Sequence, residues 1–356
     1  MAIVSFEYLS YMRDDYNNGP WVTFFDDKVC ISWERETMHN GTVQYGVDPA
    51  ALIWEKNTDS DGKIQHVILN GLLSNKTYYY QVIVEGINIG GGKFVTPSEF
   101  REEFSFVVIA DTQQPKIAVG GYPKIAKEIA KGDYRFTAIV GDFVDKGTEK
   151  SHYNNFFKNS EQYFPKTALI PVLGNHDNHQ QGPWFKQYFK NNGNRSQFFY
   201  SFNYSSVHFT ILQFTYAYEH EFSEEQMNFI KQDLLNAQYA NYRIVMFHCP
   251  VLGAGFYNYN QRLIERLVPI LEEHNVTAVF SGHEHHYERT MYGNITYFVV
   301  GTGGGIQDPG LIPLPGTQVL SALPCYTVVS LNSSGLYAKT LTTYGAIIDE
   351  VQLGLR

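Results

Sequence analysis

The chain reads as an all-β segment, residues 1–98, followed by an α/β domain over residues 102–356. Three features carry this reading. Up to residue 98, short strand-like runs alternate with Asn, Asp and Gly, the pattern of a β-sandwich. From residue 102, apolar runs alternate with segments of helical spacing, an α/β layout. The apolar runs of this second part repeatedly end in Asp, Asn or His.

In the first part, Val29–Trp33, Gly41–Gly46, His66–Leu69 and Tyr78–Val84 are the predicted strands. Gly90-Gly91-Gly92 and Thr96-Pro97-Ser98 mark the end of the last strand and a linker. In the second part, Tyr122 to Lys131 has helical spacing, with Ile125 and Ile129 four apart. Ser223-Glu224-Glu225-Gln226 is a capping box that opens a helix running toward Ala240. A third helix covers Leu263 to Glu273 and is disturbed at Pro269. No internal repeat stands out.

Composition narrows the function. Length suggests two domains, and 44% apolar with 15% aromatic residues fits a folded chain with a sizeable core. The net charge of −9, with no long basic run, disfavours a nucleic-acid polymer as partner but leaves room for a small phosphorylated substrate held by cations. Cys30, Cys249 and Cys325 form no disulfide framework or zinc-type pair. No apolar stretch reaches membrane-spanning length, and no signal peptide is visible at Met1-Ala2-Ile3-Val4. Asn-x-Ser/Thr sites at Asn40, Asn75, Asn194, Asn203, Asn275, Asn294 and Asn332 nevertheless lean toward a secreted or extracytoplasmic glycoprotein, with Asn275 poorly accessible before an apolar strand. Oligomeric state has no signature in the sequence.

The sharpest signal lies at the strand ends. Phe104–Ala110 ends at Asp111-Thr112-Gln113, Phe136–Val140 at Gly141-Asp142, and Ala168–Leu173 at Gly174-Asn175-His176-Asp177. Arg243–Phe247 ends at His248, and Val276–Phe280 at Ser281-Gly282-His283-Glu284-His285. The carboxyl ends of strands in an α/β sheet share one edge, so these groups are expected to converge. Carboxylates, imidazoles and an amide carbonyl suit a pair of cations: a bridging carboxylate offsets their mutual repulsion, and neutral donors fill the other positions. Such a pair makes hydroxide available at moderate pH and clamps the oxygens of a phosphoryl group.

The series Asp111, Gly141-Asp142, Gly174-Asn175-His176-Asp177, His248 and Gly282-His283-Glu284-His285 resembles the motif set of calcineurin-like metallophosphoesterases, in the family's order, over residues 102 to about 300. Gly282-His283-Glu284-His285-His286-Tyr287-Glu288-Arg289 is similar to the matching segment of purple acid phosphatases, and the leading β region resembles their amino-terminal domain. Leu73 to Tyr79 resembles the tyrosine corner of fibronectin type III modules. The resemblance implies a four-layer α/β/β/α sandwich preceded by a fibronectin III-like sandwich. It implies hydrolysis of phosphomonoesters by in-line attack of a metal-bound hydroxide, with two metal ions drawn from iron, manganese and zinc. It implies that Asp142 bridges the metals, that Asp111 and His285 bind the first, that Asn175, His248 and His283 bind the second, and that His176 contacts the phosphate and assists catalysis.

Three departures from that pattern matter. Asp145 stands where purple acid phosphatases carry a metal-binding Tyr, so no tyrosinate colour is expected and ferric iron loses a ligand. Gln113 stands where many metallophosphoesterases carry His; its amide either binds the first metal or hydrogen-bonds a metal-bound water. His248 is followed by Cys249-Pro250-Val251-Leu252-Gly253-Ala254-Gly255, without the downstream His pair of some purple acid phosphatases.

Single motifs have plainer readings. Gly141-Asp142 alone would be a turn, and Gly301 to Gly305 is a tight turn rather than a nucleotide loop, because no Lys-Ser/Thr follows. Asp177 is expected to orient His176 or its loop, Cys249 to pack, and Glu288 with Arg289 to form an ion pair behind the site. His179, His220 and His286 have no assigned partner, and Trp184, Phe256, Tyr257 and Tyr259 are candidates to line the opening. Two rival functions stand beside the monoesterase: a phosphodiesterase or nucleotide-directed hydrolase, and a non-catalytic binding protein on the same scaffold.

Overall fold

In the computed structural model, residues 18–25, 28–36, 40–58, 62–98, 101–114, 121–189, 198–214, 222–255 and 259–354 are described. The first part contributes β1 (Asn18–Phe25), β2 (Lys28–Glu34), β3 (Gly41–Gly46), β4 (Trp54–Asn57), β5 (Ile64–Leu69), β6 (Thr77–Val84) and β7 (Ile87–Val95). Strands β4-β3-β6-β7 form one antiparallel sheet. It shares a buried cluster, including Ile31, Trp33, Val43, Tyr80, Val82 and Phe94, with β2 and its neighbours. At the start of β6 the Tyr78 hydroxyl accepts a hydrogen bond from Leu73 N at 3.0 Å, the contact a tyrosine corner requires.

Gly90, Gly91 and Gly92 do not end a strand; they lie inside β7. The glycines are there because backbones crowd the strand. A Cβ on Gly91 would stand 2.2 Å from Tyr80 O, and one on Gly92 2.3 Å from Pro165 O, whose carbonyl takes a hydrogen bond from Lys93 N. Strand interiors hold glycine where another backbone approaches this closely.

The second part supplies β8 (Phe104–Ile109), β9 (Phe136–Val140), β10 (Ala168–Val172), β11 (Tyr200–Tyr204), β12 (Val207–Ile211), β13 (Tyr242–Met246), β14 (Ala278–Ser281), β15 (Tyr287–Tyr292), β16 (Ile295–Val300), β17 (Thr317–Ser321), β18 (Cys325–Asn332), β19 (Gly335–Thr342) and β20 (Ile347–Leu353). Its helices are α1 (Tyr122–Ile129), α2 (Lys150–Ser160), α3 (Pro183–Tyr188), α4 (Glu224–Asn236), α5 (Gln261–Arg266) and α6 (Val268–Glu273). A nine-stranded sheet runs β20-β19-β18-β8-β9-β10-β1-β2-β5, and a seven-stranded sheet runs β11-β12-β13-β14-β16-β15-β17. The five strands that carry the polar tips are therefore divided: β8, β9 and β10 lie parallel in one sheet, β13 and β14 parallel in the other. The expected single edge is two edges brought together by face-to-face packing.

Side-chain alternation sets the layers. Phe106, Val108, Phe136, Ala138, Ile170 and Val172 face the other sheet's Phe209, Ile244, Met246, Ala278 and Phe280 in one buried cluster. Val107, Ile109, Ile139 and Leu169 turn to the opposite side, where they pack with Tyr122, Ile125, Ile129, Phe156 and Phe157 of α1 and α2. On the far sheet Val245 and Val279 pack with Ile230, Leu234, Leu263, Leu267 and Leu271 of the α4–α6 side. Successive strand residues point to opposite faces, so each central strand serves two layers, giving the α/β/β/α order.

Ser223 caps α4 by accepting from Gln226 N at 3.2 Å, but the return half of the box is absent. Gln226 instead pairs with Gln213, accepting from its N at 2.6 Å and donating to its O at 2.9 Å. The third predicted helix is broken as expected: α5 ends at Arg266 and α6 restarts with Pro269 in its first turn, where no amide hydrogen is needed. Glu288 and Arg289 do not pair with each other. Adjacent residues of β15 face opposite sides; Arg289 grips Asp349 through Nε at 2.6 Å, while Glu288 turns toward His286. Asn275 is exposed, contrary to expectation, because the chain turns before β14 begins. Asn40, Asn75, Asn203 and Asn294 are also exposed, Asn332 is half-buried, and Asn194 lies outside the described residues. Among the described residues no helix is long and apolar enough to cross a membrane.

Candidate metal centre

The loops leaving β8, β9, β10, β13 and β14 bring Asp111, Gln113, Asp142, Asn175, His248, His283 and His285 into one cluster, with His176 at its edge. Asp111, Asp142 and His248 are essentially buried. The backbone is unusual where it matters: Asp111, Asp142 and His283 adopt positive φ of 58°, 54° and 71°. Such conformations cost free energy in non-glycine residues and collect at functional sites.

Three imidazoles are aimed by carbonyls. His248 Nδ1 lies 2.8 Å from Val140 O, His285 Nδ1 2.7 Å from Ile306 O, and His176 Nδ1 2.7 Å from Asp145 O. Each carbonyl holds a proton on Nδ1, which leaves Nε2 as the atom presented to the cluster. His248 Nε2 reaches Asn175 Oδ1 at 3.0 Å and Asp142 Oδ2 at 3.3 Å; His283 Nδ1 reaches the same Asn175 oxygen at 2.8 Å. The ligand atoms of Asp142, His248 and His283 all lie within 4.8 Å of one another. On the other side, His285 Nε2 faces Asp111 Oδ1 at 3.3 Å. That carboxylate oxygen is buried and makes no hydrogen bond, whereas Asp111 Oδ2 accepts from His283 N at 2.8 Å. A buried carboxylate oxygen whose near neighbour is an imidazole nitrogen fits a cation held between the two.

The electrostatics carry the same message. Burial opposes charge on His248, but Asp142 beside it outweighs burial and lifts its pKa to about 9. Burial likewise opposes charge on His285, and Asp111 lifts it to about 9. Burial, with His248 close by, pushes His283 down to about 3. Burial would raise Asp142, yet His248 holds it below the usual carboxylate range. The carboxylates thus draw protons into places that a cation would take.

A second layer fixes the loops. The Asp177 carboxylate accepts from Phe143 N at 3.1 and 3.2 Å, from Gly174 N at 3.1 Å and from Tyr153 Oη at 3.2 Å, so it ties the loop of Asp142 to that of Asn175. Its hydrogen bonds go to the loops and not to the His176 ring. Asp308, which sequence reasoning did not single out, accepts from His285 N at 2.7 Å and stands 3.5 Å from His286 Nδ1. His286 is buried, with Glu288 at 3.3 Å and Glu284 at 3.9 Å from Nε2. Burial works against its charge, but Asp308 and Glu288 bring its pKa to about 9. Nothing in the spacing around Asp308 could have revealed this, since it sits in coil between β16 and β17.

The remaining candidates divide. Gly303 N donates to Ala110 O and Gly305 N to Asp111 O, so the glycine-rich turn braces the backbone of Asp111. Cys249 is buried in the outer core of the far sheet. Trp184 is half-buried, donates Nε1 to Thr148 O at 3.1 Å and lies under Lys150. Tyr259 is exposed, and the His179 ring stands 5.5 Å from that of His176. Phe256, Tyr257 and His220 lie outside the described residues.

The family model for calcineurin-like phosphoesterase matches residues 104–287. Purple acid phosphatase 18 of Arabidopsis thaliana is 24% identical over 300 residues, covering 80% of this chain and 65% of that protein. Purple acid phosphatase 15 of the same plant is 28% identical over 186 residues, 44% of this chain and 35% of its own length. This chain thus spans less than two thirds of either relative. Among solved structures, a purple acid phosphatase from yellow lupin (Lupinus luteus) seeds superposes with a TM-score of 0.81 at 16% identity, covering 94% of this chain and 74% of that one. PhoD superposes with a TM-score of 0.72 at 12% identity, covering 95% and 89%.

Proposed function

Because the chain belongs to the calcineurin-like phosphoesterase family, we propose that it hydrolyses phosphomonoesters of small molecules at a centre of two cations. The catalytic unit in this reading is residues 102–356 together with β1, β2 and β5, which continue its nine-stranded sheet, and the sheet β4-β3-β6-β7 supports it. The observation that carries it is the pair of neighbouring donor groups, each with its own carboxylate. Asp142, Asn175, His248 and His283 form one group and Asp111 with His285 the other, the Gln113 amide touching the backbone of both Asp111 and Asp142; in this reading Asp142 would bridge the two groups. Two cations held by these residues would supply Lewis acidity, making a water more acidic and offsetting the charge of a phosphoryl group.

The chain's own residues do the rest. Asp142 Oδ1 accepts from His176 N at 2.8 Å, which orients the carboxylate and fixes His176 beside it. His176 is about one-third exposed, with Nε2 3.9 Å from Asp142 Oδ2. Hydrolysis breaks the P–O bond to the alcohol, whose oxygen departs with negative charge and takes up a proton. With Nδ1 committed to Asp145 O, the imidazolium form of His176 carries its second proton on Nε2, the nitrogen presented to the cluster, where it can be given to that oxygen. Asp177 and Asp308 hold the loops and leave the chemistry to others.

The test is to strip the protein with a chelator, refill it separately with iron, manganese and zinc, and assay a chromogenic phosphomonoester beside a diester across pH. Monoester hydrolysis that returns with metal and disappears in Asp142→Asn supports the proposal. Preference for the diester would replace it with a phosphodiesterase, and tight metal uptake without hydrolysis of either ester would favour a binding protein on this scaffold.

A further inference from the structure

The geometry points to Gln113 as the ligand that completes the first cation position, and to a centre of two divalent ions in which neutral amide oxygen replaces an anionic ligand; this rests on the two-cation reading above. Gln113 follows Asp111 by two residues and is buried at 4% exposure. Its amide orientation follows from its neighbours. The nitrogen donates to Asp111 O at 3.2 Å and to Asp142 O at 2.9 Å, the carbonyls of the two carboxylate residues, which turns the oxygen toward His285 Nε2 at 3.2 Å. Asp111 Oδ1 stands 3.3 Å from the same nitrogen.

These separations are those of ligands around one ion. Donors bound at 2.0–2.2 Å with angles between octahedral and tetrahedral stand roughly 2.8–3.6 Å apart. A glutamine that served only packing would not need both amide hydrogens fixed so that its oxygen faces the imidazole nitrogen that Asp111 Oδ1 also faces. Once His285 Nε2 is given to a cation, the Gln113 oxygen loses that imidazole as a donor and faces the same ion.

Charge then sets the kind of ion. The first position has the carboxylates of Asp111 and Asp142 with a neutral imidazole and a neutral amide; the second has Asp142 with an amide and two imidazoles. The whole centre brings two negative charges. Asp145 adds none as a ligand: its carbonyl is taken by His176, and its side chain is 40% exposed, with Oδ1 3.9 Å from His176 Nδ1. Carboxylate, amide and imidazole suit divalent manganese or zinc, whereas a trivalent ion favours a further anionic oxygen.

The experiment measures Mn²⁺ binding to the whole, metal-stripped chain by equilibrium dialysis, with electron paramagnetic resonance of the bound ions. Wild type is expected to bind two ions whose spins couple. Gln113→Ala is expected to bind one with unchanged affinity and the second about ten- to a hundredfold more weakly. Gln113→His restores a ligand and is expected to bind both, which separates ligation from damage to the loop. Two ions bound by Gln113→Ala with wild-type affinity would overturn the inference while leaving two-cation binding intact. Purified protein that holds stoichiometric ferric iron would overturn the divalent assignment. Wild type that takes up no Mn²⁺, or uptake indifferent to Asp142→Asn, would remove the underlying two-cation reading and this inference with it.

Discussion

Asp177→Ala isolates what holds the centre together. The carboxylate is buried and takes hydrogen bonds from Phe143 N, Gly174 N and Tyr153 Oη, all between 3.1 and 3.2 Å. Truncation leaves three buried donors without an acceptor. Each unsatisfied group costs about 1–3 kcal/mol, and removing an interior carboxylate that Asp142 repels returns part of that. Partial relaxation and entry of a water lower the sum further, so the expected loss is about 3–5 kcal/mol. Stability is read from urea denaturation of chelator-treated protein, comparing wild type, Asp177→Ala and Asp177→Asn. The asparagine keeps one acceptor oxygen but turns an NH₂ toward the donors, so it should lie between the other two. Because the same carboxylate ties the loop of Asp142 to that of Asn175, the alanine variant should also bind Mn²⁺ at least about tenfold more weakly. A destabilisation below about 1 kcal/mol with unchanged Mn²⁺ affinity would refute the argument that these three bonds position the loops.

Three further outcomes are expected. His176→Ala should bind metal as wild type does and lose about a hundredfold or more in kcat on esters with poor leaving groups, with a smaller loss on a nitrophenyl ester; equal losses on both would deny it the proton. In chelated protein His248 and His285 have folded pKa values of about 9, above the ordinary 6.5, so their contribution to stability is full below pH 6.5 and is lost as pH rises through 9. Urea midpoints of chelated protein should therefore fall over that window, and metal uptake at pH 7 should release protons, seen as a buffer-dependent heat in titration calorimetry. Tyr78→Phe should cost about 1 kcal/mol through loss of the bond from Leu73 N and leave metal binding unchanged; a larger fall in melting temperature would mean the corner does more than close its turn.

The candidate ligands stood out because each follows an apolar run, and a run such as Val107 to Ala110 must stop where polar groups begin. The division of those runs between two sheets was not. Val108 and Met246 face the same core from opposite sheets, and alternation along a strand says nothing about which sheet holds it. Strand β1 was missed because Asn17-Asn18-Gly19-Pro20 reads as a turn, while the strand itself begins at Asn18. The helix at Lys150–Ser160 left a signal that went unread: Tyr153, Phe156, Phe157 and Ser160 repeat at helical spacing and are the residues it buries. The positions of Gln113 and Asp308 depend on side-chain rotation and on loops far apart in the chain, which no periodicity encodes.

The strand order has a consequence for anyone who would dissect this protein. Strand β1 pairs parallel with β10, the strand leading to Asn175, and antiparallel with β2, so one hydrogen-bonded ladder crosses the change in sequence rhythm near residue 98. Glu34 at the end of β2 strengthens the joint, meeting Lys150 Nζ at 2.7 Å and Tyr188 Oη at 2.9 Å. A fragment cut at that point would turn β10 from an interior strand into an open edge, a template for pairing with other copies. Insolubility of such a fragment would report a severed ladder and would say nothing about the catalytic loops.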